Sequence, residues 1–276
     1  LKGISDALKL VNNSIYGFTA ATYDNAFRDP RNIDNIVAKR GALFMVDLKL
    51  AVQERGFQVV HIKTDSIKIP EATDEIIQFV SDFGKKYGYE FEHEETYDRL
   101  CLVNDAVFIA KKSDGTWTAT GAQFKQPYVF KTLFSRENLT FDDLCETRQV
   151  NDVMYLDFNE DAATPATPFD GMVFVGKTGL FTPVMPEMKG ARLVRYKDGK
   201  FTSVQGSKGH DWLESEMIRR LHGDAVDRMM FENVADAVEG TGSIADIIDM
   251  TYFDNMAQEA IKTIDKFGRY EDFVAD

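Results

Sequence analysis

The hydrophobic period changes once within the first seventy residues, and that change restricts the fold more than any other feature. Ile4, Leu8, Val11, Ile15 and Phe18 recur at three- and four-residue spacing, which predicts a helix from about residue 3 to Gly17. Residues 33–54 carry a second, longer helical pattern closed by Arg55-Gly56. Residues 57–69 then turn β-branched around Lys63-Thr64-Asp65-Ser66, the pattern of a β-hairpin with a polar tip. A helix over 73–87 and strands over 89–94, 100–103, 106–111 and 116–120 extend an α+β unit to about residue 124, with Asp114-Gly115 as a hairpin turn.

The composition shifts after Gln123. A short helix is expected over 141–147, a polar, Pro-bearing linker over 159–168, and strands over 172–175, 191–196 and 201–205. Residues 211–221 and 254–267 read as helices, and the boundary between regions falls near 121–127. With 44% hydrophobic and 28% charged residues the chain is globular in composition, without internal repeats. No stretch approaches the ~18 consecutive apolar residues of a membrane span. Two cysteines, Cys101 and Cys145, make no disulfide framework, so a reducing, cytoplasmic setting is expected. The chain opens on Leu1, already within a helical pattern and with no signal peptide, and therefore reads as a piece of something longer.

A net charge of −13 argues against a nucleic-acid partner only on average. Residues 171–223 hold 9 basic and 5 acidic side chains, net +4, between two acidic stretches. The local field decides whether a phosphate chain docks.

On a 3.6-residue wheel Lys2, Lys9, Asn13 and Tyr16 fall opposite the apolar stripe of the first helix. That face offers a cation, an amide and an aromatic ring, the groups that phosphate oxygens and a base need. Gly17 would let a nucleotide approach closely. An ordinary solvated helix face is the simpler reading on spacing alone. In the hairpin, Asp65 is a carboxylate at a tight tip, as a Mg²⁺ ligand should be, although Asp also serves turns for their own sake.

Together the two segments resemble a known family. Lys9-x-x-x-Asn13-Ser14-x-Tyr16-Gly17 resembles the fingers-helix motif of family B DNA polymerases, and Lys63-Thr64-Asp65-Ser66 resembles the palm hairpin bearing a catalytic aspartate. Lys39-Arg40-Gly41 is similar to a basic-Gly element between them. Residues 106–112, ending in Lys111-Lys112, look like the strand that contacts the primer end. Gly121-Ala122-Gln123-Phe124, residues 128–134, Phe174-Val175-Gly176-Lys177 and residues 208–215 look like the tailed-bacteriophage branch.

The resemblance implies a fold of fingers helix (1–22), part of a palm with an antiparallel sheet and helices (23–124), and a mixed α/β thumb with the C-terminal region (125–276). It implies template-directed DNA synthesis by two-metal nucleotidyl transfer. Lys9, Asn13, Tyr16 and Gly17 would bind the deoxynucleoside triphosphate, and Asp65 would be the catalytic, Mg²⁺-holding carboxylate. Lys63, Lys111 and Lys112 would contact primer-template DNA. The setting would be a bacterial host's cytoplasm if the protein is viral, with no membrane partner.

Two departures stand out. The family hairpin reads Asp-Thr-Asp-Ser, and here the first Asp is Lys63. On a regular strand positions 63 and 65 share a face, so Lys63 either pairs with Asp65 or reaches a phosphate. The other metal-binding Asp of the family lies in a motif this chain does not contain, so the second carboxylate for the two Mg²⁺ ions is expected from outside it. The chain should therefore not polymerise alone. Two alternatives remain: a non-catalytic DNA-binding subunit, or a split-polymerase partner completed by the upstream portion as a separate chain.

Other candidates are weaker. His61, His93, His210 and His222 and the cysteines lack zinc-ligand spacing. Gly240-Thr241-Gly242 is too short for a phosphate loop. Glu90, Glu92 and Glu94 alternate as a solvated strand face would.

Overall fold

The computed structural model describes residues 2–159, 169–223, 226 and 243–275. The expected linker, apart from Asn159, lies outside the described residues, as do Gly240-Thr241-Gly242 and the side chain of Lys2. The fold is mixed α+β with antiparallel sheets, and it divides into two compact units, residues 1–95 and 96–276.

The first unit contains α1 (Lys2–Thr19), α2 (Pro30–Ile33), α3 (Ile36–Gln53), β1 (His61–Lys63), β2 (Ser66–Lys68) and α4 (Asp74–Lys86). Its core is small: Met45, Leu48 and Val52 of α3 meet Ile76 and Val80 of α4, and Ile62 and Ile67 of the hairpin pack against them. Local chemistry fixes α4. The Thr73 hydroxyl accepts the Ile76 N–H at 3.4 Å, Asp74 and Glu75 occupy the first turn, and Lys85 and Lys86 the last.

The strand expected over 89–94 does not form. Tyr89 and Phe91 instead lay their rings on Phe44, at centroid distances of 4.7 and 5.9 Å. Gly84 makes room for this, since a Cβ there would come within 2.7 Å of the Phe91 ring. Alternate apolar residues here cover helices rather than a sheet, and the Glu90, Glu92 and Glu94 side chains are exposed as expected.

The second unit begins with a three-stranded sheet of β3 (Tyr97–Asn104), β4 (Val107–Lys112) and β5 (Trp117–Thr120). Short helices come next, α5 (Ala122–Lys125) and α6 (Pro127–Phe130), then a π-helical turn over Lys131–Ser135 and a 3₁₀ turn over Phe141–Leu144. A five-stranded antiparallel sheet is built from β6 (Glu146–Asp157), β7 (Met172–Val184), β8 (Arg192–Lys197), β9 (Lys200–Ser203) and β10 (Asp211–Glu214), in the order β10-β7-β6-β8-β9. Among the described residues, longer helices follow as α7 (Ser215–His222), α8 (Met250–Ile264) and α9 (Tyr270–Val274).

Several expectations shift here. The helix expected over 211–221 starts only at Ser215, because residues 211–214 pair with residues 181–184 of β7 and Trp212 plugs the core. The helix over 141–147 is one 3₁₀ turn, and residue 146 already enters β6. The boundary near 121–127 falls inside the second unit. There Cys101 and Ile109 share one core with Phe124, Val129 and Phe134, so the β3–β5 sheet cannot separate from α5, α6 and the π-helical turn.

Candidate functional site

On α1 the polar set keeps the arrangement expected of it. Lys9, Asn13 and Tyr16 lie on one face, all exposed. A Cβ added at Gly17 meets no described atom within 4 Å, so crowding within the unit does not require glycine there. The helix is tied down at its C-terminal end. Asn25 donates to the Phe18 carbonyl at 3.0 Å, and the buried Asn32 amide donates to the Thr19 hydroxyl at 2.6 Å. The opposite, apolar face is exposed too: Leu8 is 59% and Val11 52% accessible.

The hairpin pairs Lys63 with Ser66, Ile62 with Ile67 and His61 with Lys68. The isoleucine pair faces the α3–α4 core, which fixes the orientation of the tip. Thr64 and Asp65 form the two-residue loop, and the Ser66 hydroxyl donates to the Lys63 carbonyl at 3.1 Å. Strand alternation therefore ends at Lys63, and the shared-face argument for positions 63 and 65 does not apply. Among the described residues no ion pair joins Lys63 to Asp65. Thr64 adopts φ 53°, an uncommon conformation for a β-branched residue.

The register exposes a residue that the sequence motif omits. Lys68 lies on the same face as Lys63, two residues along the partner strand. Burial holds its amine below the ordinary lysine value, the Lys63 charge adds to that, and Glu94 opposes it. The hairpin therefore carries two lysines on one face, Lys63 exposed and Lys68 half-buried, with Asp65 exposed at its tip. The pairing rule that links 63 with 66 and 61 with 68 is the signal that finds it.

Asp65 suits Mg²⁺ in kind, being a hard oxygen donor free at a tip. It is one ligand, and among the described residues no group of three or more His, Cys, Asp or Glu side chains gathers to hold a metal.

Lys111 and Lys112 end β4, in the second unit, both half-buried. The Lys111 ammonium lies 5.9 Å from the centroid of the Trp117 ring, and Trp117 in turn packs on Phe134 and Phe273. The structure thus distributes the expected residues over three sets: one face of α1, the β1–β2 hairpin, and the end of β4.

His210 Nδ1 lies 2.9 Å from the Asp249 carboxylate, and Cys101 and Cys145 are buried and unpaired. Burial pushes the Cys145 thiol up to about 12. No described helix is long and apolar enough to cross a membrane. Comparison with protein-family models and with curated proteins yields no match to this chain.

Proposed function

We propose that this chain is part of a template-directed DNA polymerase of the family B, tailed-bacteriophage type. It would comprise a fingers helix (1–22), part of a palm (23–124) and a thumb with its C-terminal region (125–276). One observation carries the reading: the Lys9-Asn13-Tyr16-Gly17 helix face and, some fifty residues on, an aspartate at the tip of a tight hairpin, both open to solvent. Either feature alone is common; their order and residue types together are not.

In this reading the Lys9 ammonium takes phosphate oxygens of the incoming deoxynucleoside triphosphate, the Asn13 amide orients it, and the Tyr16 ring packs by the nascent base pair. Lys63 and Lys68 add positive potential for phosphate beside Asp65, and Lys111 and Lys112 hold primer-template phosphates without regard to sequence. Two Mg²⁺ ions, held by Asp65 and by a carboxylate from outside this chain, would neutralise the charge that develops as the primer 3′-hydroxyl gives up its proton and its oxygen bonds to the α-phosphorus, the α–β phosphoanhydride bond breaking and pyrophosphate leaving. The isolated chain is then expected to show no primer extension.

The cation-rich hairpin with its single carboxylate favours a second reading, a non-catalytic DNA-binding subunit or the partner of a split polymerase. Mg²⁺-dependent binding of a fluorescent deoxynucleoside triphosphate separates these. Lys9→Ala and Asp65→Ala should each weaken it about tenfold or more, as expected for a lost charged contact. DNA binding that responds to neither nucleotide nor metal would overturn the polymerase reading in favour of the binding subunit. Primer extension restored by adding the upstream portion would identify a split enzyme.

A further inference from the structure

One face of α8 borders a cavity. Tyr252, Asn255, Met256 and Glu259 recur at three- and four-residue spacing and so share that face, and His210, just before β10, and Gln123 of α5 complete the lining. The cavity measures about 380 Å³, opens to solvent and is walled mostly by apolar atoms, the size and character of a small-molecule site. The His210 ring meets the Tyr252 ring edge-on at 5.0 Å.

The hydrogen bonds around it decide what it can hold. The Asp249 carboxylate caps α8, accepting the Thr251 N–H at 3.1 Å, and lies 2.9 Å from His210 Nδ1. Burial would raise its pKa, but the bonds from Thr251 and His210 outweigh burial and keep the carboxyl below its ordinary value. An ionised carboxylate only accepts, so the proton between them sits on Nδ1, and the neutral ring is left with Nε2 as an acceptor. Gln123 Nε2 donates to the Glu259 carbonyl at 3.2 Å and to the Thr263 hydroxyl at 2.6 Å, which leaves Gln123 with its Oε1 acceptor. The Tyr252 hydroxyl is engaged by Arg148 at 2.9 Å, itself ion-paired with Glu146, so Tyr252 presents its ring alone. The Glu259 carboxylate meets Lys262 at 2.7 Å in an exposed pair on the same helix, a weak contact in water. Among these six lining side chains, only the exposed Asn255 amide can then still donate. Residues 224–276, which supply α8, carry 13 acidic and 4 basic side chains, net −9, and the field reinforces the same preference. An anion would meet acceptors and like charge, and a purely apolar molecule would leave the acceptors unpaired. An ammonium brings three donors and no acceptor, and an aliphatic stem suits a wall of Tyr252 and Met256.

We propose that this cavity binds an alkylammonium, its charged head among His210, Gln123 and Glu259 and its aliphatic stem against Tyr252 and Met256. Two sources carry such a head, a free polyamine and a lysine side chain of a partner protein. The site does not depend on the polymerase reading.

Methyl NMR of the full chain, labelled on its methionine methyl groups, tests it through the Met256 signal, assigned with Met256→Leu. At constant ionic strength, diaminobutane should move that signal saturably, and butanediol, its neutral isostere, should not. Glu259→Gln should weaken diaminobutane binding roughly twofold to fivefold, the range of one exposed ion pair. Lys262→Gln, which releases Glu259 from its helix partner, should tighten it. Asn255→Lys, which plants an ammonium at the cavity, should abolish the saturable shift. Residues 255, 259 and 262 are all exposed, so these variants keep the fold. N-acetyl-lysine methylamide separates the sources: tighter binding than diaminobutane assigns the site to a partner's lysine, and weaker binding assigns it to a free polyamine. The inference fails if neither amine moves Met256, if butanediol moves it as the diamine does, or if Asn255→Lys leaves the shift unchanged.

Discussion

Leu48 in the first unit and Trp212 in the second are both fully buried, but their surroundings differ. Leu48 belongs to a core of five buried side chains, while Ile4, Leu8, Val11 and Ile15 of α1 and Leu43, Val46 and Leu50 of α3 stand in water on the same unit. Among the described residues Trp212 sits in a core of seven buried side chains under the five-stranded sheet, beside a much larger core that draws on both sheets of this unit and several helices. The segments expected to handle the nucleotide are thus mounted on the thinly packed unit, where little apolar area holds them. Stability is concentrated in the other. The α1 residues recur at helical spacing as one exposed apolar stripe, and apolar patches of this kind mark interaction sites.

The largest effect should come from the deep core of the second unit. Trp212 packs edge-on against Tyr252 at 5.3 Å, carries the Arg148 guanidinium 5.2 Å from its ring centroid, and donates its indole N–H to the Ser207 carbonyl at 2.9 Å. Trp212→Ala should destabilise this unit by about 3–5 kcal/mol in chemical denaturation, the range for deleting a buried large aromatic. A cost below about 1 kcal/mol would show that this core is not well packed and would break the comparison.

Next in size is a polar brace of the same unit. The Asp143 carboxylate accepts from the Lys131 ammonium at 2.8 Å, the Thr140 N–H at 2.6 Å and the Thr140 hydroxyl at 2.9 Å. Burial alone would raise its pKa, but Lys131 and Thr140 outweigh it and hold the carboxyl below the ordinary 3.8. Because the folded value is depressed, the stabilisation is complete above the unfolded value and is lost as pH falls through the folded one. Asp143→Asn should cost about 3 kcal/mol at pH 7, since it leaves the Lys131 charge largely buried and unpaired. The gap between variant and wild type should narrow below pH 4. A gap that stays constant to pH 2 would show that this carboxylate does not titrate against Lys131.

How much of the molecule is legible in its sequence depends on the range of the interactions. Helix α4 can be read because its signals are local, from Thr73 at one end to Lys85 and Lys86 at the other. The hairpin around Asp65 and the polar face of α1 are equally short-range patterns. Strand β6 escapes such a reading, because its alternation breaks at a register shift between Gln149 and Met154 and its partners, β7 and β8, lie further along the chain. Residues 211–214 read as helix because nothing local reveals that residues 181–184 will pair with them. The same limit governs the sites. Lys9, Asn13, Tyr16 and Asp65 appear in a motif, whereas Lys68 needs the hairpin register.

A smaller effect is expected at the hairpin tip, where the first unit holds a locally unfavourable backbone. Thr64 at φ 53° carries a β-branched side chain in the left-handed region, which asparagine tolerates far better. Thr64→Asn should stabilise the first unit by about 1 kcal/mol, the lower end of the cost of such a conformation. An unchanged midpoint would mean that the loop is already relaxed. If Mg²⁺-dependent nucleotide binding falls while stability rises, the strain is being used to aim Asp65.

The smallest effect sharpens the comparison most. Leu8 lies in the middle of the apolar stripe of α1, yet it is 59% exposed. Leu8→Ala removes a side chain that contributes little burial within this chain, and it exchanges one strong helix former for a better one. Its cost should lie within about 0.5 kcal/mol, as for other surface positions. A loss of about 2 kcal/mol or more would mean that the α1 stripe is covered in solution, and the contrast between the units would collapse. If the cost is small in the chain alone but rises when the further polymerase portion proposed above is added, the stripe is a docking face for that portion.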